Sequence, residues 1–193
     1  MASSDTLTGI SSQDESEDIL RKLLSGADIK SVCQEVKIMA RKSIGPMSIR
    51  EILNSLGKEE KLAETEHMRY EITKTVLIEV FNNSCIPNAN AIKYMDCIDL
   101  DNFTDRSLGR LYARCRAGLE AEESPTAYRW LPFLGRLLSL VQSRDSFKPD
   151  PDGEVDTGEH FAESYIRDIC SINWSHDMVS GVCSMLKVSV TCL

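Results

Sequence analysis

From Ile19 to Val141, apolar side chains return every three or four residues, and nearly every such stretch is bracketed by residues that start or stop a helix. A chain written this way folds into rods. Ser12-Gln13-Asp14-Glu15 has the form of a capping box, followed by the stripe Ile19, Leu20, Leu23 and Leu24, with Gly26 beyond it. Asp28 is placed to cap a second helix carrying Ile29, Val32, Cys33, Val36, Met39 and Ala40, which Gly45-Pro46 should stop. Ser48 is expected to open a short third helix with Ile49, Ile52, Leu53 and Leu56, closed by Gly57.

Met68, Ile72, Val76, Leu77, Val80 and Phe81 form the longest stripe. Thr73, Thr75 and Ile78 give a strand some local support there, but the stripe's length and the charged run from Lys58 to Glu71 favour a helix that Asn82-Asn83 and Pro87 end. Asn88 is expected to cap Ala91, Ile92, Met95 and Ile98, and Asp105 to cap Leu108, Leu111, Tyr112, Cys115 and Leu119, with Gly118 helping to end that helix. Ser124-Pro125 signals the start of the apolar helix Trp130 to Val141. Pro132 falls in its second turn, which predicts a kink or a later start. After a polar, Pro- and Gly-bearing loop at 143–158, two more helices flank Trp174: Phe161, Tyr165, Ile166 and Ile169 before it, and Met178, Val179, Val182, Met185 and Leu186 after Ser175. About nine helices on short links, with no convincing strand, make an all-α protein. Antiparallel hairpins stacked in a row and a closed helical bundle both fit, and no repeat of fixed period chooses between them.

Composition narrows the chemistry. Of 193 residues, 42% are hydrophobic and 27% charged, and no apolar stretch approaches the roughly 20 residues a membrane helix needs. Met1 to Asp18 holds five acids and no base, the composition of a disordered tail and the reverse of a secretory signal. The seven cysteines at 33, 85, 97, 115, 170, 183 and 192 form no CxxC pair, so they suit a reducing compartment and describe neither a disulfide framework nor, with three scattered histidines, a zinc site. Cys170 and His176 lack an oxyanion turn and a fitting acid for thiol catalysis, and Asp150 to Asp156 carries its Gly too early for a calcium loop. No phosphate-binding glycine loop appears, so catalytic residues, cofactor, metal and small-molecule substrate are all expected to be absent.

The net charge is −8, unevenly spread. Arg106, Arg110 and Arg114 step by four along one predicted helix, Arg116 lies close by, and Arg129 and Arg136 sit on the next, so up to six guanidinium groups can share a surface suited to phosphate. The plainer reading is a solvated face paired with Asp99, Asp101, Asp105 and Glu120. Lys30, Lys37, Arg41 and Lys42 give a second, weaker basic stripe.

Cys170-Ser171-Ile172-Asn173-Trp174, then Val179, then Ser184-Met185-Leu186-Lys187 is the most specific run in the chain. Trp174 is expected at a helix-helix corner, where a buried indole can fix the angle between two rods. The pattern resembles a segment near the N-terminus of the Fanconi anaemia group I family, and its spacing also looks like the group D2 paralogue. Trp130-Leu131-Pro132-Phe133-Leu134 and the Leu108-to-Leu119 helix come in the order that family would place them, while the first half agrees only in helical character. The resemblance implies an α-solenoid of stacked antiparallel hairpins, divided as a tail at 1–18, a helical cap at 19–100, the start of the solenoid at 101–187 and a divergent tail at 188–193. It also implies a nuclear, non-enzymatic scaffold that pairs with the group D2 protein, binds DNA without reading its sequence, and is monoubiquitinated by a dedicated ubiquitin ligase complex during interstrand crosslink repair. On that reading Arg106, Arg110, Arg114 and Arg116 are the candidate DNA or partner contacts, and Cys170, Trp174, Val179 and Met185 the structural motif. The β-branched ending after Lys187 departs from the family pattern and suggests a fragment. Against this stands a cytosolic helical adaptor of the same fold that binds proteins and never meets DNA.

Overall fold

A computed structural model describes residues 12–59, 62–119, 125–144, 176 and 179–181. Among the described residues there are seven α-helices and no strand: α1 (Ser12–Leu24), α2 (Ile29–Ala40), α3 (Gly45–Gly57), α4 (Leu62–Asn82), α5 (Asn88–Cys97), α6 (Asp105–Leu119) and α7 (Trp130–Ser143), with 3-10 turns at Leu100–Asn102 and Ala127–Arg129. The stretch with some strand character lies inside α4. Its Ile72, Val76, Leu77, Val80 and Phe81 are all buried in one continuous apolar core that runs from Ile19 to Val141.

The order of packing defines the architecture. α1 lies on α3, α2 on α4, α3 on α5 and α4 on α6, while α1 makes no substantial packing with α7. From α1 to α6 the helices therefore find their main non-adjacent partners two elements on, which is how antiparallel hairpins stack into two layers, and α7 packs on α6. A closed bundle would bring its ends together. The fold is an α-solenoid.

Several element starts differ from expectation, each for a local reason. α1 takes in Ser12 to Asp18, which composition had assigned to the tail, because Ser16 is buried and donates to Glu51 Oε2 of α3 at 2.7 Å. α3 begins at Gly45 and not at Ser48. Pro46 sits in its first turn, where the missing N–H breaks no helical bond, and Ser48 is buried inside the helix. A Cβ at Gly45 would collide with the Tyr94 hydroxyl, which donates to the Ala40 carbonyl at 2.9 Å. Pro87, not Asn88, occupies the N-cap position of α5. Thr104 precedes α6 and its Oγ1 accepts from the Ser107 amide at 3.4 Å, and Asp105 pairs with Arg144 at 2.8 Å. α7 starts at Trp130, so Pro132 falls in the first turn: the later start is what occurs.

Gly118 lies in the last turn of α6, packed so closely on the Trp130 indole that a Cβ would fall well inside contact distance of the ring. Trp130 is fully buried, meets Phe81 edge-on at 5.0 Å and 85°, and donates from Nε1 to Asn82 Oδ1 at 3.0 Å. α6 can approach α7 only because position 118 has no side chain. Gly118→Ala is expected to destabilise the fold by about 1–3 kcal/mol through overpacking. Gly109→Ala, on the same helix with nothing near its Cβ, should be neutral or stabilising by up to about 1 kcal/mol. Urea unfolding of the two variants reads the difference, and equal midpoints would show that the indole contact does not set the spacing.

Candidate interaction surface

Along α6 the side chains turn by roughly 100° per residue, so steps of four keep Arg106, Arg110 and Arg114 within about 80° of one another. Arg116, two residues past Arg114, is turned roughly 200° away and leaves the row. Arg106 and Arg110 are exposed, while Arg114 and Arg116 are half-buried. Arg110 lies over the Tyr70 ring, 3.7 Å from its centroid, with Glu71 Oε1 at 3.6 Å, and keeps 44% of its side chain accessible. Arg114 covers the Trp130 indole at 5.8 Å. The expected row thus grades from an exposed end at Arg106 to a packed end at Arg114.

The wider surface of six arginines does not form. Arg129 is 3% exposed. Its Nη1 donates to the carbonyls of Val80 and Asn83 at 2.9 Å each, its Nη2 to the Ile86 carbonyl at 2.6 Å and its Nε to Asn88 Oδ1 at 2.9 Å. The last turn of a helix leaves carbonyls without intrahelical partners, and a cation there also meets the negative end of the helix dipole. Arg136 does the same at the end of α5, donating to Met95 O and, at 3.4 Å, to Ile98 O. Arg144 donates to Phe103 O and Asp101 O at 3.1 Å each. Arginine caps on helix ends are the feature that sequence reading missed. The signal was available: Arg129 and Arg136 stand seven residues apart, on one side of an otherwise apolar helix.

The position of α6 depends on Glu66 of α4, whose Oε1 accepts from the Thr104 amide (2.9 Å), the Thr104 hydroxyl and the Ser107 hydroxyl (2.7 Å). Burial raises the carboxyl's pKa, but these hydrogen bonds outweigh it and hold the group below the usual 4.5. The second basic stripe is partly neutralised: Arg41 pairs with Glu79 at 2.8 Å and Lys42 with Glu15 at 2.6 Å. Cys33, Cys97 and Cys115 are buried, and burial pushes each thiol up.

Of the C-terminal motif, Cys170, Trp174 and Met185 lie outside the described residues, as do 145–158 of the expected loop and the helix expected before Trp174. His176 is exposed. Val179, expected on an apolar stripe, is 47% exposed. Gly181 explains this, because it is the position packed on the Tyr128 ring, and Val179 is turned roughly 200° from it.

Two layers of stacked hairpins, closed by side-chain caps and carrying a partly open arginine row on one outer helix, define a helical-repeat scaffold. The sequence model of the family FANCI solenoid 1 matches residues 66–190, more than half of the chain. The chain belongs to that family, a helical scaffold of the Fanconi anaemia DNA-repair pathway. The match begins inside α4, earlier than the second half in which the resemblance was strongest, and runs past Lys187, where departure from the family was expected. Comparisons with curated proteins and with solved structures gave no match.

Arg129→Met is expected to cost about 3 kcal/mol or more by leaving buried carbonyls unmet, whereas Arg106→Met should change stability by no more than about 0.5 kcal/mol. Similar chemical-denaturation midpoints for both would remove the capping role. Because the Glu66 pKa is depressed in the folded state, its contribution is present above the ordinary carboxylate value and is lost as pH falls through the folded value. Glu66→Gln should therefore flatten the acid limb of stability below about pH 5. An unchanged acid limb would show that the capping bonds do not depend on the charge.

Proposed function

We propose that this chain is a non-enzymatic scaffold segment of the nuclear machinery that repairs interstrand crosslinks, pairing with the group D2 protein and holding duplex DNA by its backbone. The observation that carries the reading is the family match over residues 66–190. Its support in the geometry is the open end of α6. Arg106 and Arg110 stand one turn apart on an exposed face, and the stacking of Arg110 on Tyr70 keeps its planar fork extended without burying it. Such a row meets phosphate and reads no base, so duplex sequence is immaterial to it. The ubiquitin ligase complex acts on the whole assembly, and no lysine of this chain takes the modified position.

One observation favours the adaptor reading instead. Glu71 beside Arg110 gives that guanidinium an internal partner, as a merely solvated face would. Binding to duplex DNA separates the two. Each phosphate contact contributes about 0.9 to the slope of log affinity on log salt, so two contacts predict roughly tenfold weaker binding at about 200 mM than at about 50 mM salt. Fluorescence anisotropy with the full chain should show that loss, and the double variant Arg106→Glu, Arg110→Glu should bind at least tenfold more weakly at low salt. Affinity that ignores salt, or survives the double reversal, removes DNA from this segment and leaves the adaptor.

A further inference from the structure

Between the C-terminal end of α3 and the Leu100–Asn102 turn lies a cavity of about 310 Å³, walled by Leu53 and Phe103 and bearing Asn54, Lys58, Arg69 and Asp99. Arg69 differs from the capping arginines. It is 8% exposed, its Nη1 donates to the Asn102 carbonyl at 2.8 Å, its guanidinium stacks over Phe103 at 4.6 Å, and its Nε has no acceptor. The acids nearest to it are occupied elsewhere. Asp99 accepts from the Asp101 amide at 3.2 Å and from Asn102 Nδ2 at 2.5 Å, and Glu66 accepts from Thr104 and Ser107. Among the described residues Arg69 makes no ion pair, and burial disfavours its charge against only the more distant fields of Glu66 and Asp99. An uncompensated buried cation is costly, and a planar guanidinium that lines a cavity and gives only Nη1 to a carbonyl suits a planar anion.

We infer that this cavity is a binding site for a carboxylate, supplied by an acidic side chain of a partner protein that enters between α3 and the Leu100–Asn102 turn. The volume is roughly ten times the share of one water in the liquid, enough for a glutamate side chain. Lys58, exposed at the rim, draws the anion in. The Asn54 amide supplies a further donor, and the apolar walls hold the methylene stem. The site needs neither the α6 row nor DNA, so it stands or falls apart from the reading given above.

The test is thermal unfolding of the full chain at constant ionic strength with N-acetylglutamate amide, whose single carboxylate represents the side chain, and with inorganic phosphate in parallel. A saturable rise in Tm of about 3–5 °C is expected once the first probe is roughly tenfold above half-saturation. Lys58→Glu, at an exposed position that leaves the core untouched, should weaken the response at least tenfold. Asn54→Asp should raise the Tm without any probe, by placing a carboxylate beside Arg69, and should abolish the response. No saturable rise with the glutamate probe, a rise with phosphate alone, or full responses in both variants would overturn the site. Because neither variant removes Arg69, the result does not depend on that residue being dispensable for folding.

Discussion

The guanidinium of Arg129 is the joint on which the middle of the molecule depends. It carries its charge into a nearly sealed space, which is tolerable only because four hydrogen bonds receive it: one at the end of α4, two in the link after it and one at the start of α5. Removing a charge from water costs several kcal/mol, so the chain folds there in the one geometry that meets those donors. Trp130, the next residue, closes the same corner from the apolar side, against Phe81 and Gly118. One dipeptide thus fixes the exit of α4, the entry of α5 and the line of α7.

The device repeats. Arg136 receives the end of α5, Arg144 the turn before α6, and Arg50 of α3 donates to the Asp96 carbonyl near the end of α5 at 3.2 Å. A stacked array of short helices has many helix ends, and each end presents carbonyls that its own helix cannot satisfy. Glycine caps would meet them locally, but the described residues contain a single glycine with positive φ, Gly26 after α1. Long cationic side chains from the next layer do the work elsewhere, and they also couple one hairpin to the next. Cooperativity along the array follows from such shared caps as much as from the apolar seam.

What could be read in advance follows from which interactions are local. Every helix from α1 to α7 was visible in the spacing of its apolar residues, since a period of 3.6 is written within a few turns of chain. Their starts were less legible, because Ser48 and Asn88 are good caps by type, yet burial of Ser48 and the use of Asn88 Oδ1 by Tyr128 and Arg129 assign them other tasks. The arginine row on α6 was found, but its grading was not: whether a guanidinium is open or stacked depends on Tyr70 and Trp130, which belong to other helices. Arg129 and Arg136 were read as surface for the same reason. Their partners lie 38 to 49 residues away, so the spacing of the two arginines marks them as unusual on an apolar helix but does not name the carbonyls they meet.

Arginine in this fold is therefore divided between two uses that compete for the same chemistry. A guanidinium that caps a helix end has given its donors to carbonyls and has nothing left for phosphate or carboxylate. Arg129 is fully committed in this way, and Arg106, at the far end of α6, keeps an exposed position. Arg69 lies between, buried like a cap but with only Asn102 as its carbonyl partner and Nε unmet. A scaffold built from caps gains stability wherever a cap is complete, and an incomplete one costs it stability. The same division runs through the helices: Arg136 of α7 spends its donors on the carbonyls at the end of α5, while Arg106 and Arg110 of α6 keep exposed positions.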